Sequence, residues 1–91
     1  TSNFLGSVNE GLNEFNRNLE IKNKVHELVT ERTKAYKAKI QSLKIEKIHF
    51  EMKLNQAELG SEKRNLQDKI ERIDREIQSS FYILRKIEVT D

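Results

Sequence analysis

The sequence predicts an all-α protein: a long, near-continuous helix that self-associates as a coiled coil. Three observations carry this reading. The 91 residues include no Pro, and a single Gly, Gly60, follows Leu12. Lys, Glu, Gln, Leu and Arg dominate, and all are good helix formers. Apolar residues recur at alternating intervals of four and three, the heptad seam of a coiled coil. Charged and apolar residues each make up 35% of the chain, whereas ordinary domains run roughly 25% charged and 45–50% apolar. That balance suits a solvated rod better than a closed globule.

The elements follow in chain order. Residues 1–11 read as a frayed or capping lead-in, because Gly6, Gly11, Ser7 and two Asn favour turns over helix. Residues 12–88 read as the coiled-coil helix, on the order of 115 Å long at ~1.5 Å per residue if unbroken. Residues 89–91 form a short tail. The start at Thr1 rather than Met points to a piece of a larger protein.

Two seams are visible. The first places Leu5, Val8, Leu12, Phe15, Leu19, Lys22, His26, Val29, Thr33, Tyr36, Ile40 and Leu43 in line. Ile21, Val25 and Leu28 lie beside it and widen it. The second runs through Leu59, Lys63, Leu66, Ile70, Ile73, Ile77, Ser80, Leu84 and Ile87. The two do not join in phase, so a register change is expected within residues 43–59. There Leu43, Ile45, Ile48, Phe50, Met52 and Leu54 crowd together. A local stutter, an extra packing helix, or a hairpin bent near Gly60-Ser61 would each explain the slip. In the hairpin, Gly60 would end one helix and Ser61 would cap the next. In the continuous rod, Gly60 sits inside the helix at a cost of ~1 kcal/mol relative to Ala.

A parallel homodimer is the simplest assembly, with the hairpin or a bundle as alternatives. Ile70 and Ile77 at a with Leu66 at d favour two strands, while Ile73 and Ile87 at d pull toward higher order. Lys22, His26, Thr33 and Lys63 are polar seam residues, of the kind that fix register or mark weak segments.

Motifs for chemistry are incomplete. His26-Glu27-Leu28-Val29-Thr30 begins like a zinc helix, but Thr30 stands where the second His belongs. Glu46 and His49 have the spacing of a di-iron helix motif, yet no second copy occurs and Lys44, Lys47 and Lys53 surround them. With no Cys, disulfides, thiolate zinc sites and thiol catalysis are excluded. No enzyme activity, cofactor, metal or small-molecule ligand is expected.

The charge is unevenly spread. Residues 1–31 hold three basic and five acidic residues, 32–53 hold seven and two, and 54–91 hold seven and eight. The basic middle makes Arg32, Lys34, Lys37, Lys39, Lys44 and Lys47 candidates for an acidic partner such as nucleic acid, a microtubule surface or an acidic protein. The bland alternative is a solvated face whose lysine stems flank the seam. Phe81, Tyr82 and Ile83 spread around the helix beside Leu84 and are candidates for partner docking.

Together these features point to an oligomerisation or scaffolding segment of an intracellular assembly protein, in cytoplasm or nucleus. Its partners would be a second copy or other coiled-coil or helical proteins. The longest apolar run, Phe81-Tyr82-Ile83-Leu84, is far below the ~18 residues of a membrane span.

Overall fold

A computed structural model describes the backbone of residues 2–90 and the side chains of 3–89. It contains two helices: α1 spans Ser2–Gln56 and α2 spans Gly60–Thr90. They pack antiparallel on one another, and the extents are 88 × 15 × 14 Å. The all-α class stands. Of the architectures the sequence allows, the chain forms the hairpin, and the expected near-continuous helix is interrupted once, between Gln56 and Gly60.

The reversal takes only Ala57, Glu58 and Leu59, within the usual length of an αα-hairpin connection. The Ala57 N–H donates to the Leu54 carbonyl at 3.2 Å, tightening the last turn of α1. The Lys63 N–H donates to the Leu59 carbonyl at 3.0 Å, so Leu59 occupies the N-cap position of α2. This corrects two expectations. Gly60 opens α2 and has no positive φ, so it is not a left-handed cap of α1. Ser61 lies inside the first turn of α2 and does not cap it. Lys53 in the last turn of α1 and Glu62 in the first turn of α2 complement the helix dipoles that meet at the reversal.

The expected register slip is the reversal itself. In α1 the first seam continues without a stutter. Residues Val29, Thr33, Tyr36, Ile40, Leu43, Lys47, Phe50, Leu54 and Ala57 are its buried or half-buried positions, spaced four and three throughout. In α2 the matching stripe is Leu66, Ile70, Ile73, Ile77, Ser80, Leu84 and Ile87. The crowded apolar stretch therefore divides between two faces. Leu43, Phe50 and Leu54 turn inward, while Ile45, Ile48 and Met52 face solvent. Leu59, expected on the seam, lies in the turn and is 67% exposed. Lys63 is also exposed.

An antiparallel pair sets a positions level with d positions of the opposite helix. Aligning the two stripes on the contacts of Leu43 with Ile73 and Ile77 and of Lys47 with Asp74 sets the register. Thr33 is then level with Ile87, Tyr36 with Leu84, Ile40 with Ser80, Leu43 with Ile77, Phe50 with Ile70 and Leu54 with Leu66. The most enclosed side chain is Ser80, 2% exposed and level with Ile40, itself 4% exposed. A small residue opposite a large one lets the helices approach closely there. Among the described residues, no buried side-chain polar atom lacks a partner.

The same register places Thr90 level with Thr30. Residues 2–28 of α1 therefore project past the end of α2. Leu5, Leu12, Phe15 and Leu19, expected on a covered seam, are all exposed within this chain. The segment expected to fray is helical from Ser2, with Gly6 and Gly11 inside the helix and open space around both. Extending an existing helix fixes one residue per hydrogen bond, so isolated glycines cost only ~1 kcal/mol each. The tail expected at 89–91 is helical through Thr90, and Asp91 lies outside the described residues.

Candidate functional site

The site this fold offers is a surface, and its chemistry differs along α1. In the covered part, charged side chains on either side of the seam close it. The Lys47 ammonium, on the seam itself, reaches the Asp74 carboxylate of α2 at 2.7 Å and the Glu51 carboxylate at 3.7 Å. The hydrogen bond to Asp74 raises the Lys47 pKa above its ordinary value. Lys44 lies 5.3 Å from the centre of the Phe81 ring, and Lys69 lies 5.3 Å from that of Phe50. Both span the two helices, and such cation–ring contacts add ~0.5–1 kcal/mol each at exposed sites. Lys53 also lies over Phe50, at 5.8 Å. Lys39 lies over Tyr36 at 5.9 Å.

These contacts redistribute the sequence-derived candidates. Of the basic candidates, Lys44 and Lys47 serve the hairpin's own interface, and Lys39 leans on its neighbour Tyr36. Arg32, Lys34 and Lys37 remain exposed near the end of α2. There a solvent-open hollow is lined by Val29, Thr33, Lys34, Lys37 and Glu88. Phe81 is half-buried and packs against the core cluster of Leu43, Ile73 and Ile77. Tyr82 points outward beneath Lys86, whose ammonium lies 4.6 Å from its ring centre. Ile83 is partly exposed.

The seam candidates divide likewise. Leu66, Ile73, Ile77 and Leu84 are buried, with Ile70 and Ile87 half-buried, against α1 of the same chain. Ile40 and Leu43 are buried and Val29 and Tyr36 half-buried on the facing stripe. Lys47, Phe50, Leu54 and Ala57 are the seam residues that the sequence reading placed on neither seam. Carrying the first register from Leu43 to positions 47, 50, 54 and 57 would have found Lys47 and confined the slip to the residues just after Ala57.

The uncovered part is different. Phe4, Leu5, Val8, Leu12, Phe15 and Leu19 form an exposed apolar stripe along the overhang, with Phe15 at 64%. Ile21, Val25 and Leu28 continue it to one side, where Lys22 and His26 occupy the seam. Asn9, Asn16 and Asn23 border it at seven-residue intervals, and Gly11, Asn18 and Val25 border the other side. The charged residues Glu10, Glu14, Arg17, Glu20, Lys24 and Glu27 fall on the outer positions of the heptad.

Among the described residues, no group of three His, Asp or Glu side chains could hold a metal ion. Thr30, at the place a second zinc histidine would take, donates its hydroxyl to the His26 carbonyl at 2.9 Å. No helix among the described residues is long and apolar enough to cross a membrane. No protein-family model, curated protein or solved structure matches this chain.

Proposed function

We propose that this chain is an oligomerisation and scaffolding segment of an intracellular assembly protein, of the cytoskeletal, spindle, centrosomal or tethering kind. The observation that carries the reading is the uncovered stripe from Leu5 to Leu19. It continues, in the same heptad phase, a seam that α2 covers farther along. A contiguous apolar surface of this kind marks an interaction site. The hairpin supplies a stiff, self-closed shaft, and the overhang supplies the joint. The role is structural and non-catalytic.

The test is the state of the chain in an extract of its native cells, followed by crosslinking and size fractionation. The wild type should run in assemblies larger than one chain, and Phe15→Asp should release it. A chain that runs as a monomer with or without the substitution would overturn the reading.

A second reading, one element of a hetero-oligomeric bundle, is favoured by Ile45, Ile48 and Met52. These three exposed residues line the outer face of α1 near the turn, opposite the closed seam. Charge reversal at Lys34 and Lys37 tests the remaining alternative, an acidic partner. Binding to such a partner should weaken steeply with salt.

A further inference from the structure

We infer that the occupant of the overhang is the same segment of a second copy, lying antiparallel. This rests on the assembly reading above and specifies its partner.

The first support is continuity. The a and d positions of α1 keep one phase from Leu5 to Ala57, and α2 covers them only from Val29 onward. Whatever covers the rest must therefore be a helix lying where α2 would continue. The second support is length. The overhang, residues 2–28, is roughly 40 Å long at ~1.5 Å per residue. Two such segments cover one another's gap when they cross at Arg17, with residues 2–4 of each reaching the level of the last turn of α2 in the other. The N-terminal tip of each copy then meets the end of α2 in the other, beside the hollow of Val29, Thr33 and Glu88.

The third support is chemistry. A parallel, in-register pair would stack Lys22 on Lys22 and His26 on His26 inside the seam. The antiparallel pair sets Leu5 level with Val29, Val8 with His26, Leu12 with Lys22 and Phe15 with Leu19. Each polar seam residue then lies beside an aliphatic one, along which the Lys22 stem can extend to water. The flanks are Asn, Gly and Val, so no charge on the borders opposes the approach.

A fourth support is the overhang's poor intrinsic stability. Residues 2–28 contain six Asn and two Gly, which are weak helix formers, and within this chain no packing offsets their cost. A second helix laid against its apolar stripe would stabilise this part of α1.

The experiment uses the purified 91-residue chain. Sedimentation equilibrium across micromolar concentrations should give twice the chain mass. Leu12→Asp combined with Leu19→Asp should return one chain mass, with the hairpin still folded because neither side chain touches α2. Orientation is read by disulfide trapping, since the chain has no Cys. Phe15→Cys and Leu19→Cys, mixed and oxidised, should crosslink to each other in preference to themselves. Preferential self-linking of each variant would mean a parallel pair and would overturn the inference. So would a wild type that stays monomeric, or a dimer that survives the two aspartates. A purified monomer that nevertheless runs in large assemblies in extract would sink self-pairing alone and leave the scaffold reading standing.

Discussion

The two halves of α1 carry the same heptad stripe but have different surroundings. From Val29 to Ala57 the stripe is closed by α2, and its borders hold Arg32, Lys37, Lys39, Lys44, Glu51 and Lys53. From Leu5 to Leu28 it is open, and its borders hold Asn, Gly and Val. The difference teaches that periodicity identifies a seam but not what lies on it. The flanks are more informative. Charged flanks here accompany a partner fixed within the chain, through Lys44 over Phe81 and Lys53 and Lys69 over Phe50. Neutral flanks accompany the half that α2 leaves uncovered.

The largest expected contrast between the halves is in core truncation. Leu43→Ala or Ile77→Ala in the closed half should cost about 2–5 kcal/mol of unfolding free energy. At concentrations where the chain is monomeric, Leu12→Ala should move the same transition by no more than about 0.5 kcal/mol, as for other surface changes. Denaturation followed by circular dichroism decides it, and equal losses would erase the distinction.

Ser80→Leu sharpens the account of the closed half. An unpaired heptad seam would gain from leucine at this position. In the hairpin, Ser80 is enclosed opposite Ile40, and overpacking should destabilise by about 1–3 kcal/mol. A rise in melting temperature would show that the helices lie farther apart at this level.

Gly11→Ala probes the open half. An added Cβ there meets nothing within 4 Å, so helicity of the overhang should rise, by about 1 kcal/mol of local stability. Amide hydrogen exchange should slow near residue 11 and stay unchanged around Leu43.

The smallest effect is titration of the Lys47 contact. Its pKa is raised in the fold, first by the hydrogen bond to Asp74. The stabilisation is therefore complete below the ordinary lysine value, ~10.4, and is lost as pH rises through the folded value. Unfolding measured from neutral to strongly alkaline pH should show a shallow loss, absent in Lys47→Met. A slope that persists in the variant would assign it to other groups.

The sequence made the all-α class and most of both stripes legible, because heptad spacing is a local property. It left the reversal undecided for a physical reason. Ala57-Glu58-Leu59 contains no Pro, Gly or Asn, and each of its residues is also at home in a helix. The turn is imposed by what it achieves, the burial of Leu66, Ile73, Ile77 and Leu84 against α1, and tertiary packing overrides propensity there. Gly60, the visible breaker, takes a helical position. Lys47 was missed because the first seam was followed only to Leu43, where the crowded apolar residues 45–54 obscure its phase. Its partner Asp74 is distant in sequence and becomes its neighbour only through the fold.

The short reversal at 57–59 also determines how the molecule responds to tension. Both helices leave the turn in the same direction, so a pull between residues 30 and 90, which lie level, acts across the open end of the hairpin. The levels of Thr33 with Ile87 and Tyr36 with Leu84 bear the load first, and the others follow one by one toward the turn. Loaded this way, the shaft yields gradually and lengthens by many times its rupture displacement. A pair of parallel helices pulled from opposite ends would load all levels together and resist until it failed at once. Pulled across its open end, the hairpin would unzip level by level and not shear as a whole.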